Sequence, residues 1–81
     1  MMNKISAGMR FKNSGMDLTV LDYCVINNKN LALLIRSCDG LFITVRNLNH
    51  ERNDYYSWAW GHYYPLLIDA INDYDKRKND L

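Results

Sequence analysis

The stretch Leu31-Ala-Leu-Leu-Ile-Arg36-Ser-Cys-Asp-Gly40-Leu-Phe-Ile-Thr-Val-Arg46 decides the fold. Two apolar, β-branched runs flank Asp39-Gly40. Asp-Gly between such runs is a hairpin signal, because both central residues of a type I′ turn need positive φ. The segment therefore predicts an antiparallel hairpin. The nearly continuous apolar character of Leu31–Arg36 marks it as a central strand.

Working outward, Leu18–Ile26 reads Leu-Thr-Val-Leu-Asp-Tyr-Cys-Val-Ile, rich in residues that suit a pleated surface. Asn27-Asn28-Lys29-Asn30 joins it to the hairpin as a turn of residues that tolerate left-handed backbone. Upstream, Gly8–Asn13 predicts a short strand closed by Ser14-Gly15, and residues 1–7 a flexible leader. Downstream, the polar stretch Leu48–Asp54 predicts a loop, and Tyr55–Tyr64 an aromatic strand. Pro65 opens a helix over 65–78. In it, Leu67, Ala70, Ile71 and Tyr74 recur at helical spacing, and Lys76, Arg77 and Lys78 lie at the negative end of the dipole. The expected fold is α+β: a single domain over 1–81, with an antiparallel sheet of about four strands within 9–64 and one C-terminal helix packed on it.

Eighty-one residues suit one domain. A chain this short buries only about 60% of its unfolded surface, so self-association is a natural support. The hydrophobic share of 48% and charged share of 23% exclude a disordered chain. The formal net charge is +1, with bases leading up to Arg46 and acids leading after it. A general nucleic-acid binder carries a strongly basic patch, and nothing in this balance demands one. No run of about 18 apolar residues is present, so no membrane span or membrane partner is expected. Two cysteines, Cys24 and Cys38, are too few for a secreted disulfide scaffold, and a cytoplasmic protein with free thiols is expected.

The most distinctive segment is Tyr55-Tyr-Ser-Trp-Ala-Trp-Gly-His-Tyr-Tyr64. Strict alternation would place Tyr56, Trp58, Trp60, His62 and Tyr64 on one face and the small Ser57, Ala59 and Gly61 at the centre of the other. Two readings follow. In one, the large face fills the core. In the other, the helix covers the small face, and the rings form an open platform for nucleobases or a partner protein. The chemistry of catalysis is missing from the pattern. His62 has Asp54 and Asp69 as its nearest carboxylates in sequence, and His50 lies in the polar stretch. Cys24, Cys38, His50 and His62 are too scattered for the paired ligands of a structural zinc site. There is no nucleophile elbow, phosphate loop or H-E-x-x-H. No catalytic residue, metal or cofactor is expected.

Ser57–Tyr64, followed by Leu67, Ala70 and Tyr74, resembles a pattern in small accessory proteins of phages and genomic islands of low-GC Gram-positive bacteria. Gly8–Asn13 through Thr19–Tyr23 is similar to small β-modules of phage origin. Some proteins of that class block host defence machinery, including CRISPR effectors, without catalysis. The resemblance implies a non-enzymatic protein in the cytoplasm of a bacterial host, bound to a host protein or protein–nucleic acid complex. The expected binding residues are Tyr56, Trp58, Trp60, His62 and Tyr64, flanked by Arg46 and Arg52. The alternatives are a single-stranded nucleic-acid binder, with Arg10, Lys12, Lys29, Arg36 and Arg46 on phosphates, and a structural homodimer joined through the aromatic face.

Overall fold

A computed structural model describes residues 5–81. The strands β1 (Arg10–Asn13), β2 (Met16–Ile26), β3 (Lys29–Arg36), β4 (Phe42–Arg52) and β5 (Tyr55–Tyr64) precede one helix, α1 (Leu67–Lys78). The strands follow one another as an antiparallel meander that closes into a barrel. With five strands the last runs the same way as the first, so the seam between β1 and β5 is parallel. It is short: Lys12 pairs with Tyr55, and the Lys12 N–H donates to the Asp54 carbonyl at 2.7 Å. The Asn13 side-chain amide reinforces it through the Tyr56 carbonyl at 2.8 Å.

Local chemistry sets the corners. Ser14-Gly15 (φ 51° and 76°) and Asn27-Asn28 (φ 54° and 63°) are two-residue hairpin turns with left-handed backbone at both positions. The Asp39-Gly40 hairpin forms, but differently from the expected type I′ turn. Ser37–Gly40 is a four-residue connection in which Gly40 alone has positive φ, 71°. Asp39 has no positive φ and uses its carboxylate instead, accepting from the Leu41 N–H at 3.2 Å and the Arg36 guanidinium at 2.6 Å.

The barrel interior holds Phe11, Leu18, Val20, Ala32, Leu34, Ile43, Val45, Leu48 and Tyr56. Leu31 and Leu33 point the other way and pack under Ala70 and Tyr74 of α1. β3 is therefore covered on both faces, which is why its sequence is apolar without alternation.

Four expectations are corrected. The sheet of about four strands is a five-stranded barrel, closed by the pairing of β1 with β5, and β4 continues through Leu48–Arg52, where polarity suggested a loop. That polarity marks a strand end that runs beyond the core: Leu48 is buried while Asn49 to Arg52 are exposed on both faces. The helix begins at Leu67 rather than Pro65, and Leu66, still extended, occupies the cap position without a side-chain cap. Leu67 stays largely exposed, and the stripe that docks is Ala70, Ile71 and Tyr74. Of the expected leader, residues 1–4 lie outside the described residues. Ile5 packs against the barrel core, and the Gly8 N–H donates to the Val20 carbonyl at 2.7 Å.

Candidate binding surface

The aromatic strand does not present one face. Arg46 pairs with Ala59 and Thr44 with His62, so three steps on β5 match two on β4. The extra residue makes a bulge, and Trp60 sits in it with left-handed backbone, φ 57°. Bulges bend a strand and reset which residues face inward. Before this one, Tyr56 and Trp58 point into the barrel. Tyr56 is buried, with its ring 5.2 Å from Phe11 and 5.0 Å from His50. Trp58 is half-buried and meets Phe11 edge-on at 6.3 Å. After it, His62 lies opposite Thr44 and Tyr64 opposite Phe42, on the side covered by α1. The five residues expected on one face are thus divided among the core, the helix interface and solvent. Trp60 stands clearest, 69% exposed, and His62 is half exposed beside the helix.

Gly61 is needed beside the bulge. A Cβ there would lie 3.0 Å from Trp58 Nε1 and 3.1 Å from the Tyr63 hydroxyl, so a side chain would push on both rings.

Polar groups from α1 lock the bulge. Arg77 is 8% exposed, and its guanidinium donates to the Thr44 carbonyl at 3.0 Å, Thr44 Oγ1 at 2.9 Å and the Trp60 carbonyl at 2.7 Å. Burial pulls the guanidinium below its ordinary range; Asp73 acts against that effect, and the like charge of Arg46 adds to it. Asp73 Oδ2 accepts from Thr44 Oγ1 at 2.6 Å and from His62 Nδ1 at 2.9 Å. Burial favours the protonated acid, but those two hydrogen bonds outweigh it and hold the carboxyl below the usual range. A carboxylate acceptor requires the proton on His62 Nδ1. The partner of His62 is therefore Asp73, not either of the carboxylates closest in sequence.

Arg46, Trp60, His62, Arg77 and Asp80 line a cleft of about 240 Å³. Arg52 lies six residues beyond Arg46 along β4, about 20 Å at strand spacing, with its guanidinium 4.7 Å from the Tyr55 ring centroid. Of the seven expected residues, the cleft gathers Arg46, Trp60 and His62. Sequence reasoning missed Arg77, Asp73 and Thr44. Arg77 carried a signal, standing three residues after Tyr74 and seven after Ala70, on the stripe itself.

Elsewhere, a hollow of about 300 Å³ along β1 and β2 includes Arg10, Lys12, Asp17 and Asp54, where Lys12 and Asp17 pair at 2.6 Å. Cys24 and Cys38 are free thiols. No group of three His, Cys, Asp or Glu among the described residues could hold a metal ion. No helix among them is long and apolar enough to cross a membrane. No family model matches the chain, and no curated protein or solved structure matches it.

Proposed function

We propose that this chain is a non-enzymatic binding module that acts through protein–protein contact, with Trp60 as its anchor. The observation that supports this reading is the backbone of Trp60. A left-handed conformation costs an L-residue about 1–2 kcal/mol relative to the right-handed one. Such strain persists where the surroundings impose it and clusters at functional positions. Here it holds an indole out in water, a side chain that dominates interface energetics when a partner covers it. Leu66, Leu67 and Ile68 add exposed apolar surface at the start of α1. Placement in a phage or genomic island, with a host defence complex as the target, rests on the resemblance of Ser57–Tyr64 and the β1–β2 segment alone.

The alternative of a base-stacking platform has less support from the geometry, because Tyr56 and Trp58 are spent on the core. Three measurements separate the readings. Acrylamide quenching of a Trp58→Phe variant reports Trp60 alone, and light scattering across a dilution series reports mass. Affinity isolation from bacterial lysate compares wild type with Trp60→Ala and Val25→Ala, the latter removing exposed apolar surface elsewhere. The expected result is a monomer with an accessible Trp60 that retains one stoichiometric protein, lost with Trp60→Ala and kept with Val25→Ala. A concentration-dependent dimer, or binding of a dT oligonucleotide with steep salt dependence, overturns the reading.

A further inference from the structure

We infer that the cleft beneath Trp60 receives a single carboxylate, an Asp or Glu side chain of the partner, through Arg46 beside the buried Arg77. This rests on the reading of Trp60 as a protein contact. Arg46 Nε is buried and has no hydrogen-bond partner among the described residues. Arg77 donates only to uncharged oxygens, the two of Thr44 and the carbonyl of Trp60. Asp73, which could neutralise the pair, is engaged by Thr44 and His62. Two guanidinium groups thus line one small cleft without a direct ionic partner among the described residues, and a fork of N–H donors fits a planar carboxylate in bidentate fashion.

Charge around the cleft selects the source of the oxyanion. Asp80, just past the end of α1, forms part of the wall, and Asp69, Asp73 and Asp75 lie along α1. A nucleic-acid backbone would bring a row of phosphates toward these acids, whereas one carboxylate meets two arginines against the single opposing charge of Asp80. Trp60 then provides an apolar wall for the residue that carries it.

The test is NMR titration of the full chain with glutarate, inorganic phosphate and a dT decamer, at constant ionic strength. The signals followed are the Arg46 Nε–H and the Trp60 indole N–H. Glutarate is expected to move both saturably. Arg46→Lys, which keeps the charge but loses the fork, is expected to weaken that response about tenfold, and Asp80→Asn to strengthen it two- to threefold. Circular dichroism verifies that each variant is folded. No saturable response to glutarate, or an equal response in Arg46→Lys, overturns the inference. Tighter binding of the decamer overturns it in favour of a phosphate ligand. Loss of partner capture by Trp60→Ala together with full capture by Arg46→Lys would leave the Trp60 contact standing and the carboxylate receptor refuted.

Discussion

Replacing Trp60 separately by Gly and by Ala isolates the backbone strain at the bulge. Both substitutions remove the whole indole and whatever it touches. Both leave the Trp60 carbonyl in place as the acceptor for Arg77. What differs is φ. At 57° an alanine keeps the left-handed penalty of about 1–2 kcal/mol, whereas glycine escapes it. Glycine loses more chain freedom on folding, which costs about 0.5–1 kcal/mol in a strand. The balance favours Gly over Ala at position 60 by about 0.5–1 kcal/mol. The control is Val25, also exposed on a strand but without positive φ, where Ala should exceed Gly by about the same amount. The sign of the Gly–Ala difference therefore inverts between the two sites.

Urea unfolding followed by circular dichroism measures both pairs, and Trp58 emission serves as a second probe. For a domain of this length about 1 kcal/mol corresponds to roughly 4–8 °C in melting temperature. Trp60→Gly should thus melt at least about 2 °C above Trp60→Ala. Trp60→Asn should fall close to Trp60→Gly, since Asn27, Asn28, Asn47 and Asn53 already hold positive φ in this chain. If Trp60→Ala equals or exceeds Trp60→Gly, the left-handed conformation is not a cost, and the strain argument for function collapses.

Other substitutions probe the supports of the site. Arg77→Met strands the carbonyls of Thr44 and Trp60, and urea unfolding should show a loss of about 2–4 kcal/mol; a loss under 1 would mean that Arg77 does not tie the helix to the bulge. Tyr74→Phe removes a buried hydroxyl that lacks a hydrogen-bond partner among the described residues, so it should stabilise by about 1 kcal/mol, and a destabilisation would reveal a partner. The folded-state pKa of Asp73 is depressed below its unfolded value of about 3.9. Its contribution is therefore fully present above that value and is lost as pH falls through the folded pKa. The stability gap between wild type and Asp73→Asn should close below about pH 4 in acid unfolding; a gap that persists at pH 2 would show that the pairing with His62 and Thr44 does not titrate.

The hairpin, the turn residues and the helical stripe were legible because each depends on neighbours in sequence. Asn27-Asn28 and Ser14-Gly15 declare left-handed turns through residue type alone, and Ala70 and Tyr74 declare a docking face by spacing. The continuation of β4 was hidden because Asn49–Arg52 are exposed on both faces and only Leu48 marks the core. Closure of the barrel could not be read because its seam is a non-local backbone pairing, Lys12 against Tyr55. The site suffered most. Alternation is a sound rule for an unbroken strand, and one inserted residue voids it. Trp60 carries no sequence signal of a bulge, since left-handed tryptophan is rare. The assignment of Arg77 and Asp73 to the site needed the helix placed against β4 and β5.

Why the bulge holds tryptophan follows from what lies beside it. A five-stranded barrel has to bend its strands sharply, and β4 and β5 both do so at residues with positive φ, Asn47 and Trp60. Asparagine tolerates that conformation; tryptophan does not. Relief lies one residue away, because Gly61 would accept left-handed backbone without cost. Shifting the bulge there would restore Trp60 to the alternation that carries Tyr56 and Trp58 inward. It would also move the gap that Gly61 now leaves for Trp58 Nε1 and the Tyr63 hydroxyl. The register in place keeps that gap, keeps the Trp60 carbonyl on Arg77, and turns one large ring outward. Bending alone needs only a permissive residue at position 60. The retained indole adds strain without filling the core, and the proposed binding role rests on that combination.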